Sequence, residues 1–95
     1  MTILLSRVSG VNSRIEQFFT SEGRLISIPA RSAKRLAVLH RMASVFQPGM
    51  KYPEKQLNEM IAEFHPDTAA IRRYMIENGI LERDATSTYW LAESR

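Results

Sequence analysis

The chain has no cysteine, two histidines and one tryptophan among its 95 residues. Without thiols there is no disulfide, no thiolate nucleophile and no cysteine-based zinc knot. His40 and His65 stand far apart, and neither has a ligand-type residue at i+3 or i+4, so no metal site and no cofactor are expected. Long hydrophobic runs are missing too. Ile3-Leu4-Leu5 is too short for the apolar core of a signal peptide, and nothing approaches the ~20 residues of a membrane span, so the expected location is cytoplasmic and without membrane contact. No nucleophile elbow, phosphate loop, HExxH or paired-carboxylate pattern occurs, so an enzyme is not expected.

What remains is enough apolar material for one compact core, at 44% hydrophobic residues. The formal net charge is +3, a balance that favours polyanionic partners where the positive charges share a face.

Residues 1–11 show no clear period and are set apart as an arm or edge strand, leaving 12–95 as the folded domain. Asn12 or Ser13 can cap a helix carrying Ile15, Phe18 and Phe19, stopped by Ser21-Glu22-Gly23. Leu25, Ile26 and Ile28 predict a short strand before Pro29. From Ser32 to Phe46 the spacing of Leu36, Leu39, Met42, Ala43 and Phe46 predicts a helix with Lys34, Ala37, Arg41 and Ser44 outward, closed by Gln47-Pro48-Gly49.

After Tyr52, Pro53 reads as a first helical position, and Leu57, Met60, Ile61 and Phe64 form an i, i+3, i+4, i+7 stripe. His65-Pro66 breaks this helix. Asp67 caps the next one, which runs through Ile71, Tyr74 and Met75 to Asn78 and stops at Gly79. Ile80–Arg83 and Thr88–Leu91 then read as two strands around the polar loop 84–87. Two helices joined by a short turn and followed by a hairpin predict a mainly α chain with a small β-hairpin, a winged helix-turn-helix of the α+β class.

On the wheel of the helix after Asp67, Thr68, Ile71, Tyr74, Met75 and Asn78 share one side, while Ala69, Arg73 and Ile76 face the other, flanked by Arg72 and Glu77. Arginine can fork onto a guanine edge or a phosphate, and small alanines let a helix approach a groove closely. The expected DNA contacts are therefore Arg72, Arg73, Ala69 and Thr68 on this helix, Lys34 and Arg41 on the long helix, and Arg83 and Thr86 in the hairpin. Arg35 lies nearer the apolar arc and is as well suited to a structural contact. Tyr89 and Trp90 are read as packing residues that hold the hairpin to the helices.

A family resemblance rests on Gly23-Arg24-Leu25, Ile28-Pro29, Lys34-Arg35-Leu36, Tyr52-x-Glu54-x-x-Leu57-Asn58, Phe64-His65-x-Asp67, Ile71-Arg72-Arg73-Tyr74, Gly79, Arg83 and Tyr89-Trp90. With these, residues 15–91 resemble the bacterial domain of unknown function 2087, which occurs alone and fused behind ArsR-type repressor domains. The resemblance implies a winged helix and a role in transcriptional regulation. Two uses are left open: a regulator that binds double-stranded DNA, or a module that dimerises or docks a partner regulator without touching DNA. Against a DNA-contacting hairpin, its tip has no glycine and Leu91 follows Tyr89-Trp90 where a basic residue is usual.

Overall fold

The computed structural model describes residues 15–92. The predicted arm at 1–11 and the capping residues Asn12 and Ser13 lie outside that range. Among the described residues the elements are helix α1 (Ser32–Ala43), strand β1 (Tyr52–Pro53), helix α2 (Glu54–Ala62), helix α3 (Thr68–Glu77), and strands β2 (Leu81–Arg83) and β3 (Thr88–Leu91). This is a small α+β fold with an antiparallel sheet in the order β1-β3-β2. None of the described helices is long and apolar enough to cross a membrane.

α1 packs because its apolar positions recur at helical spacing. Val38, Leu39, Met42 and Ala43 are buried, whereas Lys34 and Arg41 are exposed and Ala37 is half-buried. The helix ends at Ala43, earlier than the predicted Phe46, and continues as a tightened turn in which Ser44, Val45 and Phe46 donate to carbonyls three residues back. Phe46 still reaches the core, its ring 5.4 Å from that of Tyr52.

The segment before α1 departs from expectation. Ile15 and Glu16 are helical, but the chain turns at Gln17-Phe18, and Phe19 forms an isolated bridge with Leu25. Among the described residues the predicted helix therefore ends at Glu16 instead of running through Phe19, and the strand predicted over 25–28 is reduced to the single bridge at Leu25. The backbone groups of this loop find partners across it: Ile26 N–H donates to Phe18 O at 2.7 Å and Thr20 N–H to Arg24 O at 2.7 Å. Pairing of these polar groups within the loop thus overrides the helical spacing. Leu25 N–H reaches further, to Phe64 O at 2.8 Å, which docks the loop on the end of α2.

Pro53 is a second correction. It precedes α2 with extended dihedrals (φ −60°, ψ 151°) and pairs with Thr88, so the helix starts at Glu54. A proline has no N–H for a ladder, and β1 is an edge strand where none is needed. Tyr52 and Pro53 therefore add a third strand that two residues could not announce in the sequence.

α3 begins and ends as its sequence demands. The Asp67 carboxylate accepts from Ala70 N–H at 3.2 Å, capping the first turn. His65 Nδ1 accepts from Asp67 N–H at 3.0 Å, which fixes the turn between the helices. At the other end Ile80 N–H donates to Met75 O and Gly79 N–H to Ile76 O, with Gly79 at φ +71°. This is a Schellman stop, in which the left-handed residue needs no Cβ and the next, Ile80, is buried.

The core lies where α1, α2, α3 and the sheet meet. Leu39, Leu57, Ile61, Ile71, Met75 and Tyr89 are among its most deeply buried members. Each such side chain contributes roughly 1.5–3 kcal/mol of burial energy, enough to fix the stance of α3 against the hairpin.

Candidate functional site

Burial on α3 follows the predicted wheel: Ile71 and Met75 are buried, Thr68 and Tyr74 half-buried, Ala69 and Arg73 exposed. Asn78 departs from it by being exposed; its side-chain amide donates to Tyr74 O at 2.8 Å. Ile76 is half-buried and packs against the core, so it is less outward than its wheel position suggested. Beside this face the hairpin stands up from the end of α3. The two enclose an open cleft of about 410 Å³, lined by Ala69, Arg72, Arg73 and Ile76 from the helix and by Arg83 and Tyr89 from the hairpin, with Glu77 as its acid.

Two of the three arginines are held in place. Arg72 Nη1 donates to Asn58 Oδ1 on α2, and its guanidinium carbon lies 6.0 Å from the centre of the Tyr89 ring. Arg83 lies 5.3 Å from the same centre and donates from Nη1 to the Tyr89 hydroxyl at 3.2 Å and from Nη2 to Ser87 Oγ at 3.1 Å. Tyr89 in turn donates to Glu54 Oε1 at 2.8 Å. Burial, followed by the hydrogen bond to the Glu54 carboxylate, raises the Tyr89 pKa. Tyr89 thus stays a neutral phenol that can accept from Arg83 while donating to Glu54. Arg73 is exposed and has no side-chain hydrogen bond or ion pair with a described residue.

The hairpin tip is organised by Asp84. Its Oδ1 accepts from Thr86 Oγ1 at 2.7 Å, Thr86 N–H at 2.9 Å and Thr88 N–H at 3.1 Å, and these bonds, led by the Thr86 hydroxyl, lower the Asp84 pKa. The missing tip glycine is supplied by Ser87, which takes φ +62°. Thr86, an expected DNA contact, has its hydroxyl engaged inside the turn and does not line the cleft.

The basic residues outside the cleft are positioned differently. Arg24 donates to the carbonyls of Ala62 and Glu63 at 3.1 and 3.0 Å, which closes the C-terminus of α2. Arg35 donates to Pro29 O and Ala30 O and lies 4.5 Å from the Tyr74 ring centre. Arg41 forms an ion pair with Glu16 and lies over Phe19 at 5.1 Å. Lys34 is exposed on α1. The structure therefore brings Ala69, Arg72, Arg73 and Arg83 into one cleft and leaves Lys34, Arg41 and Thr86 outside it. Thr68 sits in the first turn of α3, half-buried. Sequence reasoning missed Asn58 and Ser87 as groups that orient the arginines, and Glu54 as the group that orients Tyr89 between them. The only sequence trace of their part lay in Asn58 and Glu54 belonging to the segment that carries the family resemblance.

The chain is a member of the domain of unknown function 2087 family, described as an uncharacterized protein conserved in bacteria, whose model matches residues 24–91. The cleft falls entirely within the matched segment. No curated protein and no solved structure gives a significant match.

Proposed function

We propose that the chain is a transcriptional regulator that binds double-stranded DNA through a winged helix-turn-helix. In this reading α2 and α3 are the helix-turn-helix, α3 is the recognition helix, β2 and β3 form the wing, and β1 completes the small sheet. The observation that carries it is the exposed face of α3, where Ala69 and Arg73 face outward with Arg72 and Arg83 beside them. Small residues permit close approach, and the free guanidinium of Arg73 is suited to a base edge. Asp84 at the hairpin tip opposes insertion of the tip itself into a groove, so Arg83 at the hairpin base is the wing residue suited to a phosphate.

The test is selection of duplexes from a genomic library with the purified chain, followed by a fluorescence-anisotropy titration of the enriched site. Affinity should fall steeply from low to physiological salt. Recovery of no enriched duplex would remove the reading.

One observation favours the second use, as an interaction module. A separate cavity of about 670 Å³ lies between the end of α1, Pro48-Gly49, Ile80 and Leu91, and the neighbouring Val45 and Met50 are exposed. Association through this surface, whose lining includes no Lys, Arg, Asp or Glu, would hardly respond to salt. Light scattering over a concentration series measures it.

A further inference from the structure

We propose that the cleft between α3 and the hairpin is a preformed pocket for one phosphoryl group, bound by Arg72 and Arg83 and covered by Arg73. The proposal concerns the cleft of the DNA reading and rests on that reading only for the source of the phosphoryl group.

Three guanidinium groups meet one lining acid, Glu77, so the cleft carries an excess of positive charge. The groups that orient the two fixed arginines are neutral: an amide oxygen of Asn58, the Tyr89 phenol, the Ser87 hydroxyl and the Asp84 backbone carbonyl. Glu54, the nearby acid, is directed to Tyr89 instead. Among the described residues the one ion pair of the molecule is Arg41 with Glu16, away from the cleft. Positive charges held against one ring by neutral acceptors repel each other, and an anion between them relieves that repulsion.

Donor geometry agrees. Arg72 uses Nη1 on Asn58 and keeps Nε and Nη2 uncommitted toward the described residues. Each Nη of Arg83 carries a second hydrogen beyond the one given to Tyr89 or Ser87. Forked donors of this kind match the oxygens of a phosphate. A volume of about 410 Å³ exceeds one phosphoryl group and falls in the range of small-ligand sites. The remainder has room for the attached sugar, whether of a passing nucleic-acid strand or of a free nucleotide.

The test uses the full chain, ¹⁵N-labelled and titrated with inorganic phosphate at constant ionic strength, read at the arginine Nε–Hε signals. The signals of Arg72, Arg73 and Arg83 should move together and saturate, while those of Arg24, Arg35 and Arg41 stay. Arg83→Lys keeps the charge and loses the fork, and should weaken phosphate binding about fivefold or more at a temperature where a thermal melt shows the variant folded. Arg41→Ala should leave it unaltered. Non-saturating shifts spread over all six of these arginines, or full affinity in Arg83→Lys, would overturn the pocket. Adenosine 5′-monophosphate then separates the sources. Binding about tenfold tighter than phosphate supports a small phosphorylated ligand, whereas equal affinity, with the same three signals moving on addition of a duplex, supports the nucleic-acid backbone. Saturable phosphate binding without any duplex binding removes the DNA reading and keeps the pocket. Duplex binding that leaves these three signals in place does the opposite.

Discussion

Arginines are gathered in two regions of this molecule, and they do different work in each. Around α1 and the loop before it, Arg24 and Arg35 donate to backbone carbonyls and Arg41 meets Glu16. In the cleft, Arg72 and Arg83 are oriented by neutral side chains and Arg73 by none. The first set satisfies the fold's own acceptors, whereas the second leaves charge available to a partner. Net charge therefore says little about binding until each cation's acceptor is known.

That contrast can be broken experimentally. The largest effect should come from the core both regions share: Leu57→Ala, at a fully buried position, should lower unfolding free energy by ~2–5 kcal/mol in a denaturant titration. Next is Arg73→Ala, expected to weaken duplex binding by ~1–3 kcal/mol by anisotropy while the melting temperature holds. Unchanged affinity would erase the distinction between the regions. Arg24→Ala should show the reverse, a loss of about 1 kcal/mol of stability from the exposed end of α2 with duplex affinity preserved. Gly79→Ala, at φ +71°, should also cost about 1 kcal/mol, and equal stability would mean that the Schellman stop relaxes freely.

The smallest effect concerns pH. The Asp84 carboxyl is held below its ordinary pKa by the Thr86 hydroxyl and the Thr88 and Thr86 amides, so its contribution is present above about pH 4 and is lost as pH falls through the lowered value. Asp84→Asn should flatten this part of the acid limb in a pH series of thermal melts. An acid limb identical to that of the parent chain would show that the tip turn does not depend on the charge.

Legibility in the sequence followed the range of the interactions. α2, α3, the Asp67 cap, the Gly79 stop and the hairpin strands could be read because their signals lie within a few residues. The inward and outward sides of α3 could be read from its period, which placed Arg73 in solvent. β1 could not, since two residues gain strand character only by pairing with Thr88 and Tyr89. Nor could the Phe19–Leu25 loop, because helical spacing at Ile15, Phe18 and Phe19 serves equally to fill a core from a turn. The same limit hid the acceptors of the cleft: the neutral amide of Asn58 reaches Arg72 from another helix, and the Glu54 carboxylate accepts from Tyr89 from 35 residues away.

Ser87 links these levels. Its left-handed backbone turns the hairpin, its hydroxyl accepts from Arg83, and its carbonyl accepts from Glu54 N–H at 3.0 Å where α2 starts. The hairpin is thereby tied to the helical body at its loop as well as at its base, and acts as a fixed jaw instead of a hinged arm. A ligand that gripped Arg83 as proposed would meet a surface whose ordering entropy was lost on folding, so little would remain to be lost on binding.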